Sequence, residues 1–150
     1  MGSIAPAAGA RKLHGAGGGL RLMLDVPPSH MADAPRPWSI YQTGIDKLGP
    51  QDERGRGAVA VVIGTGVSRH PSLAKCVVDA MDFTGSRHGS DDIHGHETHT
   101  IGIVAGEDVG VAPGARVHSL KGLGDDGTGS DETTAACVEK AIQIKPHAIN

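Results

Sequence analysis

Four histidines, His88, His94, His96 and His99, fall within twelve residues and are interleaved with Asp91, Asp92 and Glu97. Imidazoles beside carboxylates can do two kinds of chemistry: they can move protons at a reacting group near neutral pH, or they can hold a divalent metal. His96-Glu-Thr-His99 is one residue short of the H-E-x-x-H zinc helix, and i,i+3 spacing plus a loop histidine makes zinc the weaker reading. The carboxylates Asp91, Asp92, Asp125 and Asp126 are calcium candidates by type but lack EF-hand spacing. For proton transfer, the missing part is a nucleophile. None of the serines sits in a G-x-S-x-G elbow. Cys76 and Cys137 form neither a redox nor a zinc pattern and read as buried thiols.

The elements that would position these residues alternate. Ala58–Ile63 is a continuous, largely β-branched run bounded by glycines, which is how a strand covered on both faces reads. Cys76–Phe83 and Ala115–Leu120 are further strands, with the glycine- and charge-rich 84–95 as a loop and 96–105 as a helix. The last helix is predicted from a Ser130 cap, acids at Asp131 and Glu132 where the helix dipole favours them, a stripe of Ala135, Val138 and Ile142, and a stop at Pro146. Pro146–Asn150 begins another strand. Ahead of these, Trp38, Tyr41, Ile45 and Leu48 recur as a helical stripe ended by Gly49-Pro50 that should dock on the domain. Residues 1–37, with Gly15–Gly19, Pro27-Pro28 and Pro35-Arg-Pro37, are punctuated too densely for a long helix or a paired strand and read as a flexible Gly/Pro/Ala-rich leader.

Composition narrows the function classes. With 150 residues, one domain or a large piece of one is expected, and 38% hydrophobic residues plus 23 glycines exclude collagen, coiled coil and bulk disorder. Trp38, Tyr41 and Phe83 are the only aromatics, too few for base-stacking platforms. A net charge of −3 without a basic run argues against nucleic acid or an anionic membrane as partner, and no stretch has the length of a membrane span or a secretory h-region.

Four ordered blocks carry a family resemblance. Val59-Ala-Val-Val-Ile-Gly-Thr-Gly-Val67 with His70-Pro71, Gly95-His-Glu-Thr-His-Thr-Ile-Gly-Ile-Val-Ala-Gly106, Gly110-Val-Ala-Pro-Gly-Ala115 and Lys121-Gly-Leu-Gly-Asp-Asp-Gly-Thr-Gly129 resemble the N-terminal part of the catalytic domain of subtilisin-like serine peptidases. The resemblance covers about Trp38 to Asn150 and implies a truncated α/β three-layer sandwich with a mainly parallel sheet. It implies serine endopeptidase chemistry on peptide or protein substrates, no required cofactor, His96 as general base, and Gly127, Thr128 and Gly129 as a segment that holds an extended peptide, with Asp131 bordering a pocket beyond it. The position of the family's catalytic Asp is Gly64, which has no side chain to orient an imidazole.

Acyl transfer needs a nucleophile, an imidazole, an orienting carboxylate and oxyanion donors, and this chain offers one of the four. No serine has the family's Gly-Thr-Ser-Met-Ala neighbourhood. Adjacent helical residues point about 100° apart, so Glu97 is not expected to serve the His96 ring. Glu97, Ile101 and Gly122 stand where the family pattern has Gly, Ala and Val, and are expected to perturb packing by overpacking at the first two and by a lost side chain at the third. Calcium is common in the family, but Ser72 replaces a frequent calcium-binding Asp and Glu107–Gly110 is short for the calcium loop. The expected state is a catalytically incomplete subtilase segment; the alternative is a non-catalytic peptide- or partner-binding module of the same fold, with a separate chain carrying the C-terminal half as one such partner.

Overall fold

A computed structural model describes residues 10–13, 21–24, 38–51 and 53–150. The chain divides into two units, Met1–Pro35 and Arg36–Asn150. In the first, strands β1 (Ala10–Leu13) and β2 (Arg21–Leu24) pair antiparallel, with Ala10 opposite Leu24 and Leu13 opposite Arg21. This corrects the expectation that residues 1–37 contain no paired strand: four residues a side suffice for an antiparallel ladder, which dense glycine punctuation does not forbid. The Gly15–Gly19 and Pro27-Pro28 stretches lie outside the described residues.

The second unit begins with the short helix α1 (Trp38–Gln42) and a 3-10 turn at Ile45–Lys47. Gly44, at φ 75°, separates them, so the expected single helical stripe is broken. Among the described side chains of this segment Ile40 is buried, while Tyr41 and Leu48 are half exposed; the side chain of Trp38 lies outside the described residues.

Four strands form the main sheet in the order β4-β5-β3-β6: β3 (Val59–Gly64), β4 (Val77–Asp82), β5 (Arg116–Lys121) and β6 (Ala148–Ile149). Every pairing is parallel, and Val59 through Gly64 match Arg116 through Lys121 one to one. Parallel neighbours need crossover connections, which helices α2 (His96–Ala105) and α3 (Asp131–Ile144) supply.

Strand alternation sets the layers. Val62 and Val117 pack with Ile101 and Ala105 of α2 and with Leu73, Cys76 and Ala115. Val61 and Leu120 pack with Cys137 and Ala141 of α3. Because neighbouring residues of a strand face opposite ways, α2 and α3 cover opposite faces, giving the three-layer α/β sandwich.

The final helix starts where expected: Ser130 Oγ accepts from the Thr133 amide, and Thr133 Oγ1 accepts from the Ser130 amide in return. It ends in a left-handed Lys145 just before Pro146. Its buried stripe is not the expected one. Cys137 and Ala141 are fully buried, while Val138 and Ile142 are 40% and 63% exposed. Small side chains let the helix sit close to the sheet, and size alone misidentified the face.

Candidate functional site

In a parallel sheet, ligand chemistry gathers at the carboxyl ends of the strands. Here that edge is formed by Gly64 and the turn Thr65–Val67, by Lys121 and the 122–129 segment, and by the start of α2.

Asp92 builds the start of that helix. Its two oxygens accept from Thr65 Oγ1 (2.8 Å), the Gly95 amide (2.7 Å), the Thr98 amide (2.9 Å) and Thr98 Oγ1 (2.6 Å). Gly95, at φ 91°, makes no side-chain cap of its own, so a carboxylate three residues upstream satisfies the orphan amides. Burial alone would raise the Asp92 carboxyl, but hydrogen bonds from Thr98, Gly95 and Thr65 outweigh it and hold the group below its ordinary value.

His96 is exposed as the first residue of α2. Its ring meets that of His94 edge-on, with centroids 6.3 Å apart and an interplanar angle of 82°. No hydrogen bond or ion pair reaches the His96 ring among the described residues. Glu97 turns the other way: it is fully buried, Oε2 accepts from the Gly66 amide at 2.5 Å, and Oε1 accepts from Ser119 Oγ at 2.7 Å. The expectation that Glu97 would not serve His96 agrees with this placement. The expectation that it overpacks is corrected, because the missing side chain of Gly64 leaves the room it fills.

Lys121 is the residue that the sequence reading missed. It is completely buried at the end of β5, and its ammonium donates to the Asp91 carbonyl and to Asp125 Oδ1, both at 2.7 Å. The ammonium of Lys121 and then the ring of His88 hold Asp125 far below the carboxylate range; Ser86 Oγ also donates to it. This hub ties the 84–91 loop to the 122–129 segment. A signal was present in the sequence, since Lys121 and Asp125 are i,i+4 across a glycine turn, but nothing local shows that a lysine ending a strand is buried.

Gly127, Thr128 and Gly129 form a turn. Gly127 has φ 79° and lies against His94, whose Nε2 would be 2.9 Å from a Cβ built there. The Gly127 amide donates to the Gly124 carbonyl (2.9 Å), the Thr128 carbonyl accepts from the Gly124 amide (2.6 Å), and the Thr128 amide donates to Asp126 Oδ1 (2.9 Å). The amide and carbonyl of Gly129 carry no hydrogen bond among the described residues. Asp131 is exposed in the first turn of α3. An apolar cavity of about 640 Å³ runs beside α2 between Ile40, Leu73, His99 and Ile103; Gly95 lines it and His96 does not.

The structure does not bring the sequence's metal candidates together. Asp92, Asp125 and Asp126 are each occupied by protein donors, and no group of three His, Cys, Asp or Glu side chains among the described residues is placed to hold a metal ion. No helix among the described residues is long and apolar enough to cross a membrane.

The fold finds counterparts among known proteins. The chain is 32% identical over 119 residues to the thermostable alkaline protease of Halalkalibacterium halodurans, across 76% of this chain and 32% of that protein. It is 30% identical over 119 residues to Subtilisin Savinase of Lederbergia lenta, across 76% of this chain and 44% of that one. A solved structure of a cold adapted subtilisin-like serine proteinase superposes with a TM-score of 0.58 at 29% identity, covering 65% of this chain and 36% of that one. The chain thus spans less than half the length of the relatives it matches. Residues 55–150, which hold the whole parallel sheet and both crossover helices, match the model of the subtilase family, and to that family the chain belongs.

Proposed function

We propose that the chain is a subtilase segment that retains the general-base position, His96, without the groups that make it a catalyst. The observation that carries this is the state of the imidazole: His96 stands exposed, the strand end facing α2 is Gly64, and the nearby carboxylate of Glu97 is spent on Gly66 and Ser119. An unoriented imidazole has no fixed tautomer with which to take a proton from a nucleophile. No serine of this chain has the neighbourhood of the family's nucleophile. The family's substrates are peptides or proteins, and main-chain pairing at Gly129 is where this chain would engage one. A second reading, a module that binds peptides or a partner chain without cleaving them, is favoured by the Gly129 main chain, which carries no hydrogen bond among the described residues.

The test is direct. Purified chain incubated with a fluorophosphonate probe and with a mixed peptide library is expected to show neither a labelled serine nor a cleaved peptide. Labelling at any serine, or cleavage abolished by His96→Ala, would overturn the proposal. Peptide retention without cleavage, lost on substitution of Gly129 by proline, would establish the second reading.

A further inference from the structure

Gly64 is a glycine without a backbone reason. It is absent from the residues with positive φ, and it ends a regular strand that any L-residue could end. What crowds a side chain there is Glu97. A Cβ built on Gly64 would lie 3.1 Å from Glu97 Oε2, 3.2 Å from its Cβ and 3.4 Å from its Cγ. Glu97 needs the space equally, since its two oxygens pair the Gly66 amide and the Ser119 hydroxyl, which it alone reaches in this buried corner. The same relation recurs one strand away. Gly122 also lacks a positive φ, and a Cβ there would lie 2.9 Å from Cys137 Sγ.

We infer that Gly64 and Glu97 are an exchanged pair: a carboxylate carried by α2 occupies the place of a strand-end side chain on β3 and positions the Thr65–Val67 turn through the Gly66 amide, so that position 64 accepts Asp only when position 97 gives up Glu. The pairing concerns placement and packing, and it stands whether or not the chain takes part in hydrolysis. Glu97 is a positioning residue in this scheme and touches no substrate.

The titratable neighbours of Glu97 come from every element packed on it: Asp92 ahead of α2, Lys121 on β5 and Cys137 on α3. Burial is the largest influence, and with the opposing hydrogen bonds from Ser119 and Gly66 it leaves the carboxyl raised from 4.5 to about 7; the charge of Asp92 adds to the rise and that of Lys121 opposes it. A carboxyl whose folded pKa lies above its unfolded one lends stability below 4.5 that is lost as pH rises toward about 7. A second carboxyl at position 64 would add like-charge repulsion at contact.

Thermal midpoints of the full chain are to be measured at pH 5 and pH 8 for the parent, Gly64→Asp, Glu97→Gly, the double variant and Glu97→Gln. Each of the first two single changes is expected to lower the midpoint by about 5–10 °C. The double variant should return to within about 3 °C of the parent. The deficit of Gly64→Asp should be larger at pH 8, and Glu97→Gln should flatten the fall in midpoint between pH 5 and 8. If Gly64→Asp does not fold, Gly64→Ala with and without Glu97→Gly reads the same coupling through packing alone. Additive losses in the cycle, or an unaltered pH profile in Glu97→Gln, would refute the pairing.

Discussion

Asp92 shows how one side chain can carry the junction between two elements. It joins the turn after β3, through Thr65, to the first turn of α2, through Gly95 and Thr98. Its lowered pKa means that the stability it lends is present above its ordinary 3.8 and is lost as pH falls below that value. Glu97 works in the other direction, so the combined contribution of these two carboxyls is greatest between the acid loss from Asp92 and the higher-pH loss from Glu97. Replacing Asp92 by Ala is expected to cost about 2–4 kcal/mol in urea unfolding, because it leaves several buried donors unpaired, and Asn should recover part of this. The same measurement below pH 4 should find the gap between parent and Asp92→Asn closing. At this scale the sequence was least legible. Asp92 stood among four histidines and other carboxylates as a calcium candidate by type, and Lys121 was read only as the first residue of the 121–129 block. One partner of each, Thr65 for Asp92 and Asp91 for Lys121, comes from a segment some thirty residues away, and no local pattern encodes such pairings.

The elements were more legible, because their signals are local. The β-branched run before Gly64 could only be a doubly covered strand, and the observed β3 differs from expectation by one residue at each end. The Ser130 cap was equally plain. Ser130→Ala is expected to cost about 1 kcal/mol, read from the urea midpoint, and to weaken the first turn of α3 in amide exchange while leaving α2 unchanged. Which face of a helix is buried was less legible. On α3 the stripe Ala135, Val138 and Ile142 was expected to be buried; Cys137, read separately as a buried thiol, is buried together with Ala141 on another face. The N-terminal stripe failed for a different reason. Gly44 takes a left-handed conformation that breaks the period, and Ile40, off the expected face, is buried while Tyr41 and Leu48 are half exposed. Across 1–37, composition hid a hairpin, since strands of four residues leave little alternation to detect.

At the scale of the whole molecule, alternating strands and helices announced the parallel three-layer arrangement before any contact was known, as right-handed crossover rules allow few other topologies. What they could not announce was how the edge of the sheet is furnished. A side chain lost from β3 is matched by one gained on α2, so the departures at 64 and 97 disturb the fold far less than each would alone.

The two sulfurs offer a further use of the layered design. Cys76 belongs to the α2 side of the sheet and Cys137 to the α3 side, and both are buried. Burial pushes both thiols up; for Cys137, burial followed by the charges of Glu97 and Asp82 takes it to about 11. Neither reacts as a thiolate until its layer opens. Each cysteine is therefore a clock for one side of the sandwich. Pulse alkylation under native conditions, read by peptide mass spectrometry, is expected to mark Cys137 first, since the α3 layer holds four buried residues against seven on the α2 layer. Equal labelling times would mean that the sandwich opens as one cooperative unit, with the sheet transmitting the loss of either cover to the other.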